Sequence, residues 1–484
     1  MPKLTALIAI LSACTMVASL KAESYSASFS GNTNWSDLEW TPAEPPPGNL
    51  DSVSLTGPGS GSLTLNLEGS REFVSMSTKG SFLMRSDGDL DLGTLRVESG
   101  SLFLANGSGG ILSVTVGNVE VTGSSTSFFL GRNGAGPVDH FTVTGTTTLS
   151  GMRLAMQAPT GTINLGRLVN QTQLDLANST ATNGSAVVVN VRGITGGGEV
   201  ITSNNNATVR PTLRITGMEV AAVETFSGSL TDGGAGTASK VKLEMAGPGT
   251  QVLSRAQGNT YSGGTLVSGG TLAVTNTSGS GLGTGGVEVN GSGVLGGTGR
   301  IALAGGETVS VATGGTVAPG LAASSQGGVL TLAGTTGSSA PILEMASGSR
   351  FIFRLGTAGE SDRIAFTNYQ SDGLSLASGG VELDLETLGG LNEPAGDYTL
   401  FTFDQITELE LAALVARLEI STGSSFTGVL NTTFSDHAGT IFVTAQAIPE
   451  PALLSSLAGG GLLLWLAGRG NRRQRGEGNE SFKG

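Results

Sequence analysis

The feature that most limits what this chain can become is a recurring glycine pair followed by a β-branched or apolar residue. Gly263-Gly264-Thr265-Leu266 returns at once as Gly269-Gly270-Thr271-Leu272. Gly285-Gly286-Val287, Gly296-Gly297-Thr298, Gly314-Gly315-Thr316-Val317 and Gly327-Gly328-Val329-Leu330 echo it at uneven intervals. Each pair permits a tight turn with positive φ, and the apolar residue after it points into a narrow core. One such turn cannot bury its apolar side alone. Stacked turns can, through backbone pairing between neighbours and apolar ladders inside. Long amphipathic helices need runs of Ala, Leu, Glu and Lys, which are nearly absent beside 78 glycines in 484 residues. The expectation is an all-β, elongated right-handed parallel β-helix (solenoid).

Upstream, from Asp51 to about Val220, apolar residues alternate at strand spacing. Leu63, Leu65 and Leu67 share one face, as do Leu90 and Leu92; Val114, Val116, Val119 and Val121 follow. Strands recur about every ten residues without helices between them. So much glycine and serine also fits disorder, but these recurrent Val, Leu and Ile can be buried. Trp35 and Trp40, with Phe29, precede Pro45-Pro46-Pro47-Gly48. They suit an N-terminal cap over the first coil, or a platform on which sugar rings stack. Residues 341–447 carry larger cores, such as Phe351-Ile352-Phe353-Arg354-Leu355, and read as a β-rich C-terminal cap. One helix is predicted there, from Gln405 to Leu418, with Ile406, Leu409, Ala413 and Leu414 on one face. Ser361-Asp362 and Gly396-Asp397 read as turns.

The stretch from residue 226 to 320 resembles the autotransporter-associated β-strand repeat of bacterial surface proteins. The matching residues include Phe226-Ser227-Gly228, Gly247-Pro248-Gly249-Thr250, Asn259-Thr260-Tyr261-Ser262-Gly263-Gly264-Thr265, Gly281-Leu282-Gly283-Thr284-Gly285 and Leu295-Gly296-Gly297-Thr298-Gly299. The resemblance covers about a fifth of the chain. It implies a β-helical passenger, not an enzyme.

Charge and residue usage narrow the chemistry. The net charge is −13 although both ends are basic, so the body is acidic and has no basic stripe; nucleic acid is not an expected partner. Cys14 is the only cysteine, which excludes an intramolecular disulfide and a cysteine-built zinc site. His140 and His437 each follow an aspartate in a Gly/Ser/Thr context and read as surface residues. Asp87-Gly88-Asp89-Leu90-Asp91 partly resembles a calcium loop but lacks the spaced glutamate. Glu98 and Glu120 lie about one coil apart, the spacing at which two carboxylates could stack as an enzyme's acid pair. No stretch gathers Asp, Arg, Lys and His together, and the glycine-rich stretches lack a Lys-Ser/Thr ending. The expectation is therefore no enzyme and no cofactor. The alternative is a carbohydrate-active β-helix, a lyase or hydrolase on extracellular polysaccharide.

The ends address the chain. Lys3, the apolar stretch from Leu4 to Leu20 and the small Ala22 read as a signal peptide cleaved after Ala22. Leu11-Ser12-Ala13-Cys14 offers a lipobox as the competing reading. At the other end Ile448-Pro449-Glu450-Pro451 precedes an apolar run, Ala452 to Ala467, and then Arg469, Arg472, Arg473 and Arg475. The run would make a helix of about 24 Å against a hydrocarbon core of about 30 Å. The arginines place its end in the cytoplasm. Pro449, Glu450 and Pro451, the span and the basic stop together resemble the PEP-CTERM sorting signal, with Ile448 where valine is common. The resemblance implies an exosortase-type processing enzyme as partner and a transient stay in the inner membrane.

The expected organisation is signal peptide 1–22, N-terminal cap 23–50, β-rich solenoid 51–225, repeat region 226–335, terminal cap with a short helix 336–447, and sorting signal 448–484 with one transmembrane helix. The expected role is that of an exported structural or adhesive protein, membrane-tethered as a precursor and then at the cell surface or in the extracellular matrix. Extracellular polysaccharide or a second copy of the chain would be its contacts.

Overall fold

Strand Ser24–Ser28 pairs in parallel with Ser52–Thr56, which pairs with Arg71–Lys79, and the same step repeats down to Leu374–Leu376. This is the computed structural model of the chain. It describes residues 24–447 apart from 44–50, 58–63, 87, 108–111, 132–137, 158, 179–186, 234–237, 322–323, 336–339, 357–360, 370–372 and 389–395. The signal peptide and the sorting signal lie outside the described residues.

The stack has three faces. In the first coils one long strand, such as Leu90–Val97 or Ser113–Val121, serves two of them. From Val138–Val143 and Thr146–Leu149 onward the strand divides at a corner. The 18-stranded sheet therefore contains three strands of the second face, Thr146–Leu149, Arg167–Asn170 and Gly193–Thr195; the other 15 are rungs of the first. The second face continues through a bridge between Gly196 and Phe226 into an eight-stranded sheet ending at Leu418–Ile420. The third runs as nine strands from Thr33–Asn34 to Ser229–Leu230 and resumes at Arg300–Ala302. Among the described residues every strand pairing is parallel until the end, where Ala438–Ala447 pairs antiparallel with both Gly396–Phe403 and Phe426–Ser435. These stacked parallel sheets are those of a β-solenoid.

The register shows what holds the stack. Val114, Phe141, Ile163, Val189, Leu213, Leu243, Thr265, Val287, Val309, Leu343 and Leu374 are successive partners. All are buried, and together they form one column inside the first face. Burying each aliphatic member contributes about 1.5–3 kcal/mol. The one polar member, Thr265, meets the hydroxyl of the fully buried Tyr261 at 2.7 Å, so its oxygen is satisfied.

Four of the glycine pairs, uneven in sequence, sort onto two faces of the stack. Leu243, Thr265, Val287 and Val309 are each 22 residues apart. Gly263-Gly264 and Gly285-Gly286 precede the first-face strands; Gly269-Gly270 and Gly314-Gly315 precede second-face strands. Gly296-Gly297 instead lies within the second-face strand Val294–Gly297, and Gly327-Gly328 precedes the third-face strand Val329–Ala333, so the unevenness of the pairs comes partly from their serving different faces.

Glycine also marks the corner between the first two faces. A Cβ on Gly117 would stand 2.3 Å from the carbonyl oxygen of Gly93; on Gly145, 2.6 Å from that of Gly117; on Gly166, 2.2 Å from that of Gly145. Close backbone approach excludes a side chain at all three, and Gly166 is held at a positive φ of 60° as well.

One detail differs from the sequence expectation. The helix is Glu408–Val415, and it buries Leu411 and Leu414 while Leu409 is 81% exposed. The buried stripe runs through Leu411 rather than Leu409, because Leu411 and Leu414 meet helical spacing as well as Leu409 and Ala413 do. The larger cores after residue 341 do not start a new sheet. Arg350–Leu355 stacks between Thr316–Pro319 and Val381–Thr387 as a further rung, and Phe351, Phe353 and Phe401 fill the wider coil edge to face.

Candidate functional site

The first face ends at Leu374–Leu376, and the helix Glu408–Val415 stands where the next rung would pair. Thr407 caps it in a capping box: its hydroxyl accepts from the Glu410 N–H at 3.2 Å, and the Glu410 carboxylate accepts from the Thr407 N–H at 2.8 Å. Leu411 packs into the core beside Gly439. A cleft of about 450 Å³ remains between this helix and the last strand. Leu374, Ile406 and Leu414 supply an apolar wall; Glu344, Ser375, Gln405, Glu410 and Arg417 supply polar groups.

Two observations make the cleft more than a packing defect. The Ala377 N–H donates to the Met345 carbonyl at 2.9 Å, so alternation along the ladder turns the Leu376 N–H and C=O the other way, off the end of the sheet. Arg417 donates through Nη1 to that carbonyl at 2.7 Å. Tyr369, 6% exposed, lines the cleft, and among the described residues its hydroxyl has no side-chain partner. Burial pushes that hydroxyl's pKa up. A backbone hydrogen bond from Gln405 opposes the rise, and the charges of Asp404 and Glu410 add to it.

The residues singled out in the sequence fall elsewhere. Glu98 and Glu120 do not stack on each other. Glu120 sits in register with Arg96, and their charged groups are 2.7 Å apart; Glu98 accepts from the Ser77 hydroxyl at 2.6 Å and pairs with Lys79 at 3.2 Å. Each acid is matched by a cation one coil back, an arrangement for neutralising charge rather than for sharing a proton. The hydrogen bond from Ser77, opposed by burial and helped by Lys79 and Arg96, holds the Glu98 carboxyl below the usual carboxylate range. Trp35 is fully buried and Trp40 nearly so, 4.6 Å apart at their ring centroids and packed with Phe73. Burial denies them to a sugar ring. His140 is exposed on its strand, and His437 shares a positive-φ hairpin turn with Asp436. Asp87 is outside the described residues. Among the described residues, no group of three or more His, Cys, Asp and Glu is placed to hold a metal ion. Among the same residues no helix is long and apolar enough to cross a membrane. Ala22, Pro449, Glu450, Pro451, Arg469, Arg472, Arg473 and Arg475 lie outside them too.

Asp362 was missed by sequence reasoning. It looked like a turn residue, yet it has no exposed surface and holds Arg354 at 2.6 Å. Its carboxylate also accepts from the Gly328 N–H at 2.8 Å. Arg354 reaches on to the carbonyls of Leu321 and Ser324, tying a long corner loop to the coil.

The repeat region owes its regularity to polar side chains that stand in for missing strands. Buried Asn259 accepts from the Leu230 N–H at 2.9 Å and donates to the Gly281 carbonyl at 2.7 Å, joining three coils across the third face. Asn276 does the same with the backbone of Arg300, and Asp232 holds the N–H and hydroxyl of Ser262. No curated protein matches the chain. Residues 243–274, which include Asn259, Tyr261 and Thr265, match the family described as Passenger-associated-transport-repeat, a repeat that points to a secreted or cell-surface protein of the autotransporter-passenger type.

Proposed function

We propose that this protein is an exported structural or adhesive element of the cell surface or extracellular matrix, acting through its shape and contacts rather than by catalysis. The observation that carries the reading is the solenoid with its passenger-type repeat at 243–274. The paired exterior acids support the non-catalytic part, because Glu98 and Glu120 are each committed to a cation. Delivery would use the C-terminal segment. Pro449, Glu450 and Pro451 form the motif for an exosortase-type enzyme, the apolar run Ala452 to Ala467 holds the precursor in the inner membrane, and Arg469, Arg472, Arg473 and Arg475 stop its transfer.

Mass spectrometry of the surface form tests the sorting step. The expected mature chain ends near Pro451; an intact Arg475 on that form overturns processing and leaves a plain anchor. The non-catalytic reading is tested by incubating the purified protein with extracellular polysaccharide of its host. Release of reducing or unsaturated sugars would overturn it in favour of a β-helix lyase or hydrolase.

A further inference from the structure

We propose that the strand Phe426–Ser435 joins two copies of this chain tail to tail, by pairing antiparallel with itself across a twofold axis. It is the last strand of the third-face sheet, and among the described residues no strand pairs with its outer edge. In an antiparallel ladder alternate residues turn their N–H and C=O to that side, so this ten-residue strand presents a row of backbone groups to a further strand. Native sheets blunt such an edge with lysine, proline or a bulge. The strand from Phe426 to Ser435 has neither a charge nor a proline, and its register against Ala438–Ala447 runs unbroken through ten pairs. Val429 is 66% exposed on it and Phe434 41%.

The strand is complementary to itself. Centred on Asn431, an antiparallel self-pairing sets Gly428 opposite Phe434, Val429 opposite Thr433 and Leu430 opposite Thr432. Opposed residues share a face. Leu430 and Phe434 lie on the core side, in register with the buried Val443 and Gly439. There the exposed Phe434 ring of one copy covers the exposed, bare backbone of Gly428 in the other, a match that rescues edge glycines. Gly428 admits no side chain of its own, since a Cβ would stand 2.7 Å from the Thr444 carbonyl oxygen. On the outer face two β-branched residues meet. Charge permits the contact. The net charge of −13 makes copies repel, and an uncharged edge adds nothing to that repulsion. The twofold carries the hairpin-turn acid, Asp436, to opposite ends of the contact, about 33 Å from its mate, several Debye lengths at physiological salt. The other end of the rod offers no equivalent edge. Ser26 on the first strand exchanges both backbone bonds with Thr41, at 3.0 and 2.9 Å, and the first third-face rung, Thr33–Asn34, is two residues long. A contact between copies is therefore tail to tail and closed, not head to tail and open-ended. The pairing is independent of where the protein resides and so goes beyond the surface reading.

The test is sedimentation equilibrium of the full-length chain in mild detergent, with the residue at the twofold centre as the handle. The unaltered chain should dimerise at micromolar concentration. Asn431→Asp and Asn431→Lys each set like charges against one another across the axis, and each should weaken the dimer tenfold or more. Mixed in equal amounts, the two variants should form a one-to-one heterodimer. Both hydrogen bonds of the Asn431 side chain, to the Val429 carbonyl and the Thr444 hydroxyl, are exposed, so neither variant should change the melting temperature. Val220→Lys, a charge placed elsewhere at a position 83% exposed, should leave the dimer intact. A monomer at all concentrations, the outcome if the chain's own segment after Ala447 covers the edge, overturns the proposal. So does a dimer indifferent to both Asn431 variants, as association through the apolar run Ala452 to Ala467 would be, and so does a mixture that fails to restore what the two variants lose.

Discussion

The carboxylate of Asp362 sits with no exposed surface 2.6 Å from Arg354, bridging the end of one strand to the start of the next in the same coil. Removing one partner of such a buried pair strands the other's charge, at a cost of about 3–5 kcal/mol. Asp362→Asn and Arg354→Met should each destabilise the coils around residues 316–387 by that order. Hydrogen exchange resolved by peptide is the measurement of choice, because a stack of coils need not unfold as one unit. Replacing both residues should recover only part of the loss, since the Gly328 N–H and the Leu321 and Ser324 carbonyls also lose partners.

The corner column makes a steric prediction. Gly117→Ala places a methyl group 2.3 Å from the Gly93 carbonyl oxygen, whereas Gly305→Ala places one no closer than 3.8 Å to Thr335. The first should cost roughly 1–3 kcal/mol through overpacking, and the second should be nearly silent. Comparison of their chemical denaturation curves decides it; equal behaviour would mean that the coils can slide apart at this corner.

Asn259 provides the third prediction. Asn259→Ala leaves the Leu230 N–H and the Gly281 carbonyl buried without partners, each worth about 1–3 kcal/mol. Faster exchange at the Leu230 amide, with the first-face amides of Thr265 and Val287 less affected, is the expected pattern.

A pH effect follows from Glu98. Its carboxyl is held below the usual range first by the Ser77 hydroxyl, with burial opposing and Lys79 and Arg96 assisting. A carboxylate depressed by folding stabilises the fold above its unfolded pKa, and that contribution disappears as pH falls through the lowered, folded value. Ser77→Ala should therefore raise the Glu98 titration midpoint toward that of a free glutamate, as followed by carboxyl NMR shifts. A midpoint that stays put would assign the depression to the cations instead.

The stack itself was legible in the glycine pairs and the alternating valines and leucines, because a period of two and a tight turn are local properties. The strands around Leu90–Val97, Ser113–Val121 and Arg350–Leu355 follow directly from them. What stayed hidden depends on which residues lie one coil apart. Glu120 faces Arg96 rather than Glu98, and Asp362 meets Arg354, only because coil lengths and corner positions bring them there. Single-sequence spacing does not encode that. The terminal cleft was hidden for a further reason: it exists because a helix occupies the place of a rung, and Leu409 and Leu411 gave the helical stripe two equally good phases.

The strands wind around the stacking direction, so the hydrogen bonds between coils point along it. Fifteen first-face rungs about 4.8 Å apart make a rod of roughly 70 Å. A pull on its two ends loads each coil-to-coil junction in tension, one junction after another in series. The weakest junction opens first and pays out a coil of 22 residues, about 75 Å of extended chain, before the next is strained. Such a rod would answer a tug by lengthening in steps of about its own height, dissipating work at each step and leaving the remaining coils intact.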